Sequence, residues 1–338
     1  MRIDVTNLQA LMNDYGRSRK PFVFAVDYEM RNCLLFDDPL HCGEIRWSTE
    51  MASNSGGTVE ESGESDNNGS IGQSAATPRL IIKNALPFDE YARKFAVIRN
   101  GLLHGDSFLA NLTVGVEVEC NLSFEEIYDL CEAKYKLLIP GEFVCFSPER
   151  FIRITSDKVY AYPMKGTIDA SIPEAETVLI NDYKERCEHN TIVDLLRNDL
   201  SMVAEKVRVS RFRYVDRIKT QSGEILQTSS EIVGDLPADW HSSVGDLVFR
   251  LLPAGSICGA PKPATVRLIA AAEQSDRGWY TGVWGYYDGV NLDTAVMIRC
   301  LANEEGKTVF HSGGGITVNS CAEDEYNEVL QKIYLPIK

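Results

Sequence analysis

Residues 187–203 read CEHNTIVDLLRNDLSMV, and their periodicity is that of one helix. Ile192, Val193, Leu195, Leu196 and Leu200 cover a broad apolar face, so the pattern predicts a mostly buried helix. The same stretch carries Glu188 near its start and Asp194, Arg197, Asn198 and Asp199 towards its end. Ionisable groups enter an interior when they are paired, bind a metal or react. Either structural ion pairs account for them, or they face a site built by distant parts of the chain.

Working outward, residues 173–203 read as helical, with Pro173 just inside the start. Upstream, EFVCFSPERFIRI (142–154) and KVYAYPMKGTI (158–168) read as strands. SFEEIYDLCEAKY (123–135) begins a short helix with a capping box, Ser123 to Glu126. FLANLTVGVEVEC (108–120) alternates as a strand, a helix runs from Pro87 to its stop at Gly105-Asp106, and PFVFAVDYEMRNCLLF (21–36) suits a strand and hairpin. Downstream come KVRVSRFRYVDRIKT (206–220) and GEILQTSSEIVGDL (223–236) as strands, a helix over 244–252, the loop PAGSICGAPKP and a helix through Ala272. Three strands follow, WYTGVWGYYDG, LDTAVMIRCLANE and KTVFHSGGGITVN, and AEDEYNEVLQKIY closes the chain as a helix. Strands outnumber helices and hairpin turns join many of them. The expected fold class is α+β (layered α/β), with antiparallel sheets packed against flanking helices. From Thr49 to Thr77 the chain is rich in Ser, Gly, Asn and acid, so a disordered loop is expected at about 50–77. The expected organisation is a short N-terminal strand region, 1–85, and a catalytic unit, 86–338.

The 338 residues carry a formal charge of −15. That argues against nucleic acid or an anionic membrane as the main partner, since both require a basic field. No run approaches the ~18 apolar residues of a membrane span, and the N-terminus lacks the apolar core of a signal peptide, so a cytoplasmic location is expected. Nine dispersed cysteines and five histidines form no CxxC, HxxxH or HExxH pattern, which disfavours a disulfide framework or a zinc site. No phosphate-binding glycine motif supports a nucleotide.

In the last helix Glu325, Glu328 and Lys332 share one face. They form either a solvated strip or, joined by Glu188, an all-oxygen set suited to Mg²⁺. Gly255-Ser256 and Gly313-Gly314-Gly315 are glycine-rich loops whose backbone either makes turns or receives an anion. Arg299 is a lone cation after an apolar run, suited to a carboxylate. Lys165, in PMKGT, becomes a nucleophile if its surroundings disfavour its charge, and Glu149, in SPERF, becomes a general acid if desolvated.

SPERF, PMKGT, CEHNTIVDLLRNDL, PAGSICGAPK, RGWYTGVWGYYDG, DTAVMIR, GGGITVNS and EDEYNEVLQK together resemble, in order, the signature segments of the chorismate-utilising enzymes. The resemblance covers about residues 86–338. Within that family the lysine of PMKGT resembles the aminodeoxychorismate synthase branch; anthranilate synthases carry alanine there. Isochorismate and salicylate synthases use a different lysine as a water-activating base, and here that position is Leu109. The resemblance implies that Glu188, Glu325 and Glu328 hold Mg²⁺ against the ring carboxylate of chorismate. It implies that Arg299, Tyr280, Gly255, Ser256, Gly313, Gly314 and Gly315 hold the carboxylates, that Lys332 adds positive charge, and that Thr167 and Gln227 lie beside the substrate. Lys165 would attack C2 while Glu149 protonates the departing 4-hydroxyl, and ammonia would then give 4-amino-4-deoxychorismate, on the way to 4-aminobenzoate and folate. A separate glutamine amidotransferase subunit would supply the ammonia. The chain departs from the family where Gln227 replaces a histidine, Cys258 a threonine and Asn319 an aspartate. Two other readings stay open: an anthranilate synthase component I, against which Lys165 and the lack of a tryptophan-binding segment speak, and a catalytically weak chorismate-binding subunit, which Gln227 and Leu109 keep in view.

Overall fold

The computed structural model describes residues 2–55, 79–220 and 223–337. Alternating apolar runs become two antiparallel sheets. The first runs Arg2–Ile3, Cys33–Phe36, Phe22–Val26, Val283–Tyr287, Leu292–Val296, Arg150–Thr155, Lys158–Ala161, Gly223–Asp235, Met164–Asp169, with Glu205–Thr220 also paired to Gly223–Asp235. The second runs Gly259–Ala260, Leu109–Cys120, Lys307–Ile316, Cys300–Glu304, Phe143–Ser147, Tyr135–Ile139, Arg46–Ser48, with Leu80–Asn84 also on Leu109–Cys120. The α+β class with antiparallel sheets and flanking helices is thus the observed one.

Strand alternation decides what each face buries. Val23, Ala25 and Trp284 of the first sheet meet Trp47, Leu137 and Cys145 of the second in one apolar cluster between the sheets. The opposite faces carry helices. Phe22, Phe24 and Val26 pack with Leu8 and Met12, while Ala110, Leu112 and Val114 pack with Tyr91, Phe95 and Ile269. The helix Val5–Arg17, capped by the Asp4 carboxylate on the Asn7 N–H at 3.0 Å, was not expected from the sequence. The capping box at Ser123 and Glu126 is present, and Gly105 ends Phe88–His104 with a φ of 84°.

Several expectations are corrected. The helical stretch 173–203 is two helices, Ala175–Asn181 and Tyr183–Leu200. Asp182 leaves helical geometry (ψ 120°) and its carboxylate accepts the Glu185 N–H at 2.8 Å, so the second helix has its own N-cap. That helix is also less buried than its apolar face suggests: Asp194 and Asn198 are exposed, and Arg197 binds Asp194 at the surface at 2.7 Å. LDTAVMIRCLANE is two strands in different sheets, with Arg299 at φ 58° in the link. The run Gly313-Gly314-Gly315 is not a loop but strand, paired with Thr113, Leu112 and Asn111. Within PAGSICGAPKP, Gly255–Cys258 makes one helical turn. Residues 50–55, expected to begin a disordered loop, fold onto Arg46–Ser48: Asn54 accepts the Trp47 N–H and donates to the Cys42 and Ile45 carbonyls. The rest of that expected loop lies outside the described residues.

Two neighbouring segments cross between the sheets. Ser147 to Arg150 links the second to the first, and Val296 to Cys300 runs back. They are joined by Phe146 N–H to Arg299 C=O at 3.1 Å and Val296 N–H to Glu149 C=O at 3.2 Å.

Candidate functional site

A cavity of about 570 Å³ opens where these crossings lie. Its lining includes Glu149, Lys165, Thr167, Glu188, Gln227, Ser256, Tyr280, Arg299, the three glycines 313–315, Glu325, Glu328 and Lys332. These side chains come from strands of both sheets and from three helices. Of the residues expected at the site, only Gly255 stands behind the wall. A Cβ there would meet Leu195 Cδ2 at 2.2 Å and Asp199 Oδ2 at 2.5 Å, so its lack of a side chain serves packing against Tyr183–Leu200.

Lys165 reaches the cavity from an irregular strand. Met164 pairs with Ser229 and Thr167 with Gln227, with a register shift between, and the Thr228 hydroxyl donates to the Lys165 carbonyl. Its Nζ lies 3.4 Å from Glu188 Oε2. Across the cavity the Ser256 hydroxyl donates to the Glu149 carboxylate. Burial pushes the Glu149 carboxyl above the ordinary range; the Ser256 bond and the charges of Lys165 and Lys332 oppose this without cancelling it.

Glu325 and Glu328 project from Ala322–Gln331, and Lys332 ends that helix. Lys332 Nζ lies 2.7 Å from Glu328 Oε1 and donates to the Gly313 carbonyl at 3.0 Å. Burial pushes Glu325 up, a bond from Ser320 opposes it, and the negative charges of Glu328 and Glu188 add to the rise. Burial also acts on Glu328, but Lys332 beside it, with Lys165 and Lys184 beyond, holds that carboxyl below its usual range. The Arg299 guanidinium lies 4.5 Å from the Tyr334 ring centre.

Among the lining groups that sequence reading missed are Glu185, Lys184 and His311. Glu185 precedes Glu188 by one turn, the spacing shared by Glu325 and Glu328, and that repeated spacing was the available signal. Its carboxyl is pushed up by burial and by Glu188. His311 lines the cavity and stacks on Tyr280 with ring centres 5.4 Å apart; no sequence pattern marks it.

The acids fit a hard dication in kind, being all oxygen donors. A Cβ on Gly314 would stand 3.2 Å from Glu325 Oε2 and 4.0 Å from Glu328 Oε1, so that bare strand position leaves both carboxylates open space. Among the described residues no three such groups converge on one point, and Lys165 and Lys332 neutralise Glu188 and Glu328.

Against known proteins, residues 38–338 match the family model described as chorismate binding enzyme. An uncharacterized PabA-like protein of Haemophilus influenzae is 47% identical over 326 residues, covering 96% of this chain and 95% of that protein. Aminodeoxychorismate synthase component 1 of Escherichia coli is 31% identical over 260 residues, covering 72% of this chain and 56% of that protein. The crystal structure of anthranilate synthase component I from Streptococcus pneumoniae has the same fold, with a TM-score of 0.65 at 24% identity over 78% of this chain and 60% of that one. With a family model spanning most of its length and these acids, lysines and Arg299 around one cavity, the chain belongs to the chorismate binding enzyme family.

Proposed function

We propose that the protein is an aminodeoxychorismate synthase component I, converting chorismate and ammonia to 4-amino-4-deoxychorismate and water. The observation that carries this reading is Lys165: a primary amine in the cavity, facing Glu188, with the hydrogen-bonded and desolvated Glu149 in the same lining. Lys165 Nζ attacks C2 of the ring, the two conjugated ring double bonds shift towards C4, and the 4-hydroxyl leaves as water with a proton from Glu149. Ammonia then attacks C4, both double bonds shift back, and the amine of Lys165 leaves C2. Arg299, Tyr280 and the backbone at Gly313–Gly315 hold the two carboxylates, with Lys332 adding positive charge. Glu188, Glu325 and Glu328, with Glu185 beside them, would hold Mg²⁺, which when bound supplies charge neutralisation at the ring carboxylate. The ammonia comes from a separate glutamine-hydrolysing subunit.

Product identity tests the reading. Protein, chorismate, ammonium and Mg²⁺ are incubated, and the products are resolved by chromatography and mass spectrometry. 4-Amino-4-deoxychorismate is expected from the wild type, with a chorismate-derived adduct on the protein that Lys165→Ala abolishes. Anthranilate or isochorismate as the product, or an adduct that survives in Lys165→Ala, would overturn it.

A further inference from the structure

The long hairpin beside the cavity carries a surface unlike the rest of the chain. Glu205–Thr220 is its outer strand, paired among the described residues on one side only, to Gly223–Asp235. In a chain of formal charge −15 it bears Lys206, Arg208, Arg211, Arg213, Arg217 and Lys219 against Glu205 and Asp216. Carboxylates of the inner strand compensate part of this charge: Arg217 binds Glu224 at 2.8 Å, and Arg208 lies 3.9 Å from Asp235. Arg211 sits over the Tyr214 ring at 3.8 Å. Lys206 and Arg213 have φ of 50° and 45°, and the register shifts around them interrupt the outer edge. An added strand could not continue such a ladder, so a ligand of this face must use side chains.

The apolar part of the surface is contiguous with the basic strand. Arg213 donates to the Ile180 and Leu179 carbonyls at 3.0 and 3.2 Å, which fastens Ala175–Asn181 against the strand. Around that joint Phe212 is 56% exposed, Val178 49% and Tyr183 71%. An apolar centre with a charged margin is the anatomy of a protein interface that forms and parts.

Its position indicates what binds there. The Phe212 ring lies 5.9 Å from that of the buried His189, and His189 follows Glu188, the partner of Lys165. Lys184, next to Tyr183, lines the cavity and has a side chain 76% exposed, so the cavity reaches the surface beside this face. Ammonia released elsewhere would be diluted and protonated before it reached Lys165.

We propose that this face, with Phe212, Tyr183 and Val178 exposed and Arg208 and Arg211 on the same strand as Phe212, binds the glutamine-hydrolysing subunit through a surface that is apolar at its centre and bears carboxylates around it. The inference rests on the amination reading above and adds where the ammonia supplier sits.

The test compares two nitrogen sources. The probe is a glutamine amidotransferase subunit that gives the wild-type protein glutamine-dependent amination. Phe212→Asp and the pair Arg208→Glu, Arg211→Glu are assayed with ammonium alone and with glutamine plus that subunit, and binding is followed by sedimentation. Ammonium-driven rates within twofold of wild type would show that each variant is folded. Glutamine-driven rates should fall at least tenfold, with a matching loss of the complex, and the wild-type complex should weaken as salt rises. Unchanged glutamine-driven rates and complex formation in both variants would overturn the proposal. So would a switch from dimer to monomer with glutamine-driven rates retained, which would assign the face to a second copy of this chain. Absence of amination by the wild type with either nitrogen source would overturn the amination reading instead.

Discussion

In the proposed mechanism Glu149 and Ser256 would set the response to pH at the scale of single residues. A carboxyl pushed up by burial keeps its proton to higher pH, and a general acid loses its effect as pH rises through that raised value. The Ser256 hydroxyl donates to the carboxylate and so favours the charged form. Ser256→Ala should raise the Glu149 pKa further and move the falling limb of the kcat profile to higher pH. It should also lower kcat by roughly tenfold, the worth of a hydrogen bond of about 1.4 kcal/mol. A pH–rate series on the two proteins checks both effects, and a limb that stays in place would separate Ser256 from Glu149. At this scale the sequence brought Glu325 and Glu328 together by spacing, while Lys165 and Glu188 were joined to them by the order of the motifs, and all four line one cavity. Glu185 shared the spacing and was passed over. His311 could not be found, because its place in the lining depends on a strand pairing that no local pattern encodes.

Among the elements, the one-turn helix Gly255–Cys258 carries Ser256 and leans on Tyr183–Leu200 at Gly255. Gly255→Ala places a methyl group within 2.2 Å of Leu195 Cδ2 and 2.5 Å of Asp199 Oδ2. Asp199 is itself held 2.9 Å from Lys262, so relief requires the short helix to move. Overpacking of this kind costs about 1–3 kcal/mol. Urea denaturation should show an unfolding free energy reduced by that amount, with a lower midpoint at unchanged m, and ammonium-driven kcat should fall with it; an unchanged midpoint would mean that the short helix adjusts freely. Most strands and helices were readable from periodicity and caps, including the hairpin 21–36 and the capping box at Ser123. The division of LDTAVMIRCLANE was not, because Met297 and Ile298 are as apolar as the strands they separate. The break at Asp182 was marked only by a capping aspartate within a continuous helical pattern.

For the whole molecule, Arg277 ties parts that are distant in sequence. Its guanidinium binds both Glu273 oxygens, at 2.8 and 2.6 Å, and donates to the Asn111 and Ile257 carbonyls at 2.8 and 3.1 Å. It also stands 4.5 Å over the Tyr28 ring. One fully buried cation thus joins a strand of the second sheet, the short helix under Ser256 and the segment that enters the first sheet. Arg277→Met would leave the Glu273 carboxylate buried with the Thr113 N–H as its remaining partner. Removing one member of such a pair costs about 3–5 kcal/mol, which calorimetry or denaturant unfolding would detect. A loss below 1 kcal/mol would show that the pair is not a fastening. The α+β class was readable from the count and patterning of strands, whereas strand order was not, since long-range pairing leaves no local mark.

The two crossings between the sheets carry Glu149 and Arg299 on strips of chain joined to each other by hydrogen bonds. Each sheet therefore holds one end of both strips. If the sandwich parts, both strips are drawn out of shape together, and no partly unfolded species that keeps a single sheet retains the binding geometry. Catalytic competence and the integrity of the sandwich should therefore be lost together, and damage to the Trp47–Trp284 layer, whose cluster includes the cavity-lining Tyr280, should reach the cavity.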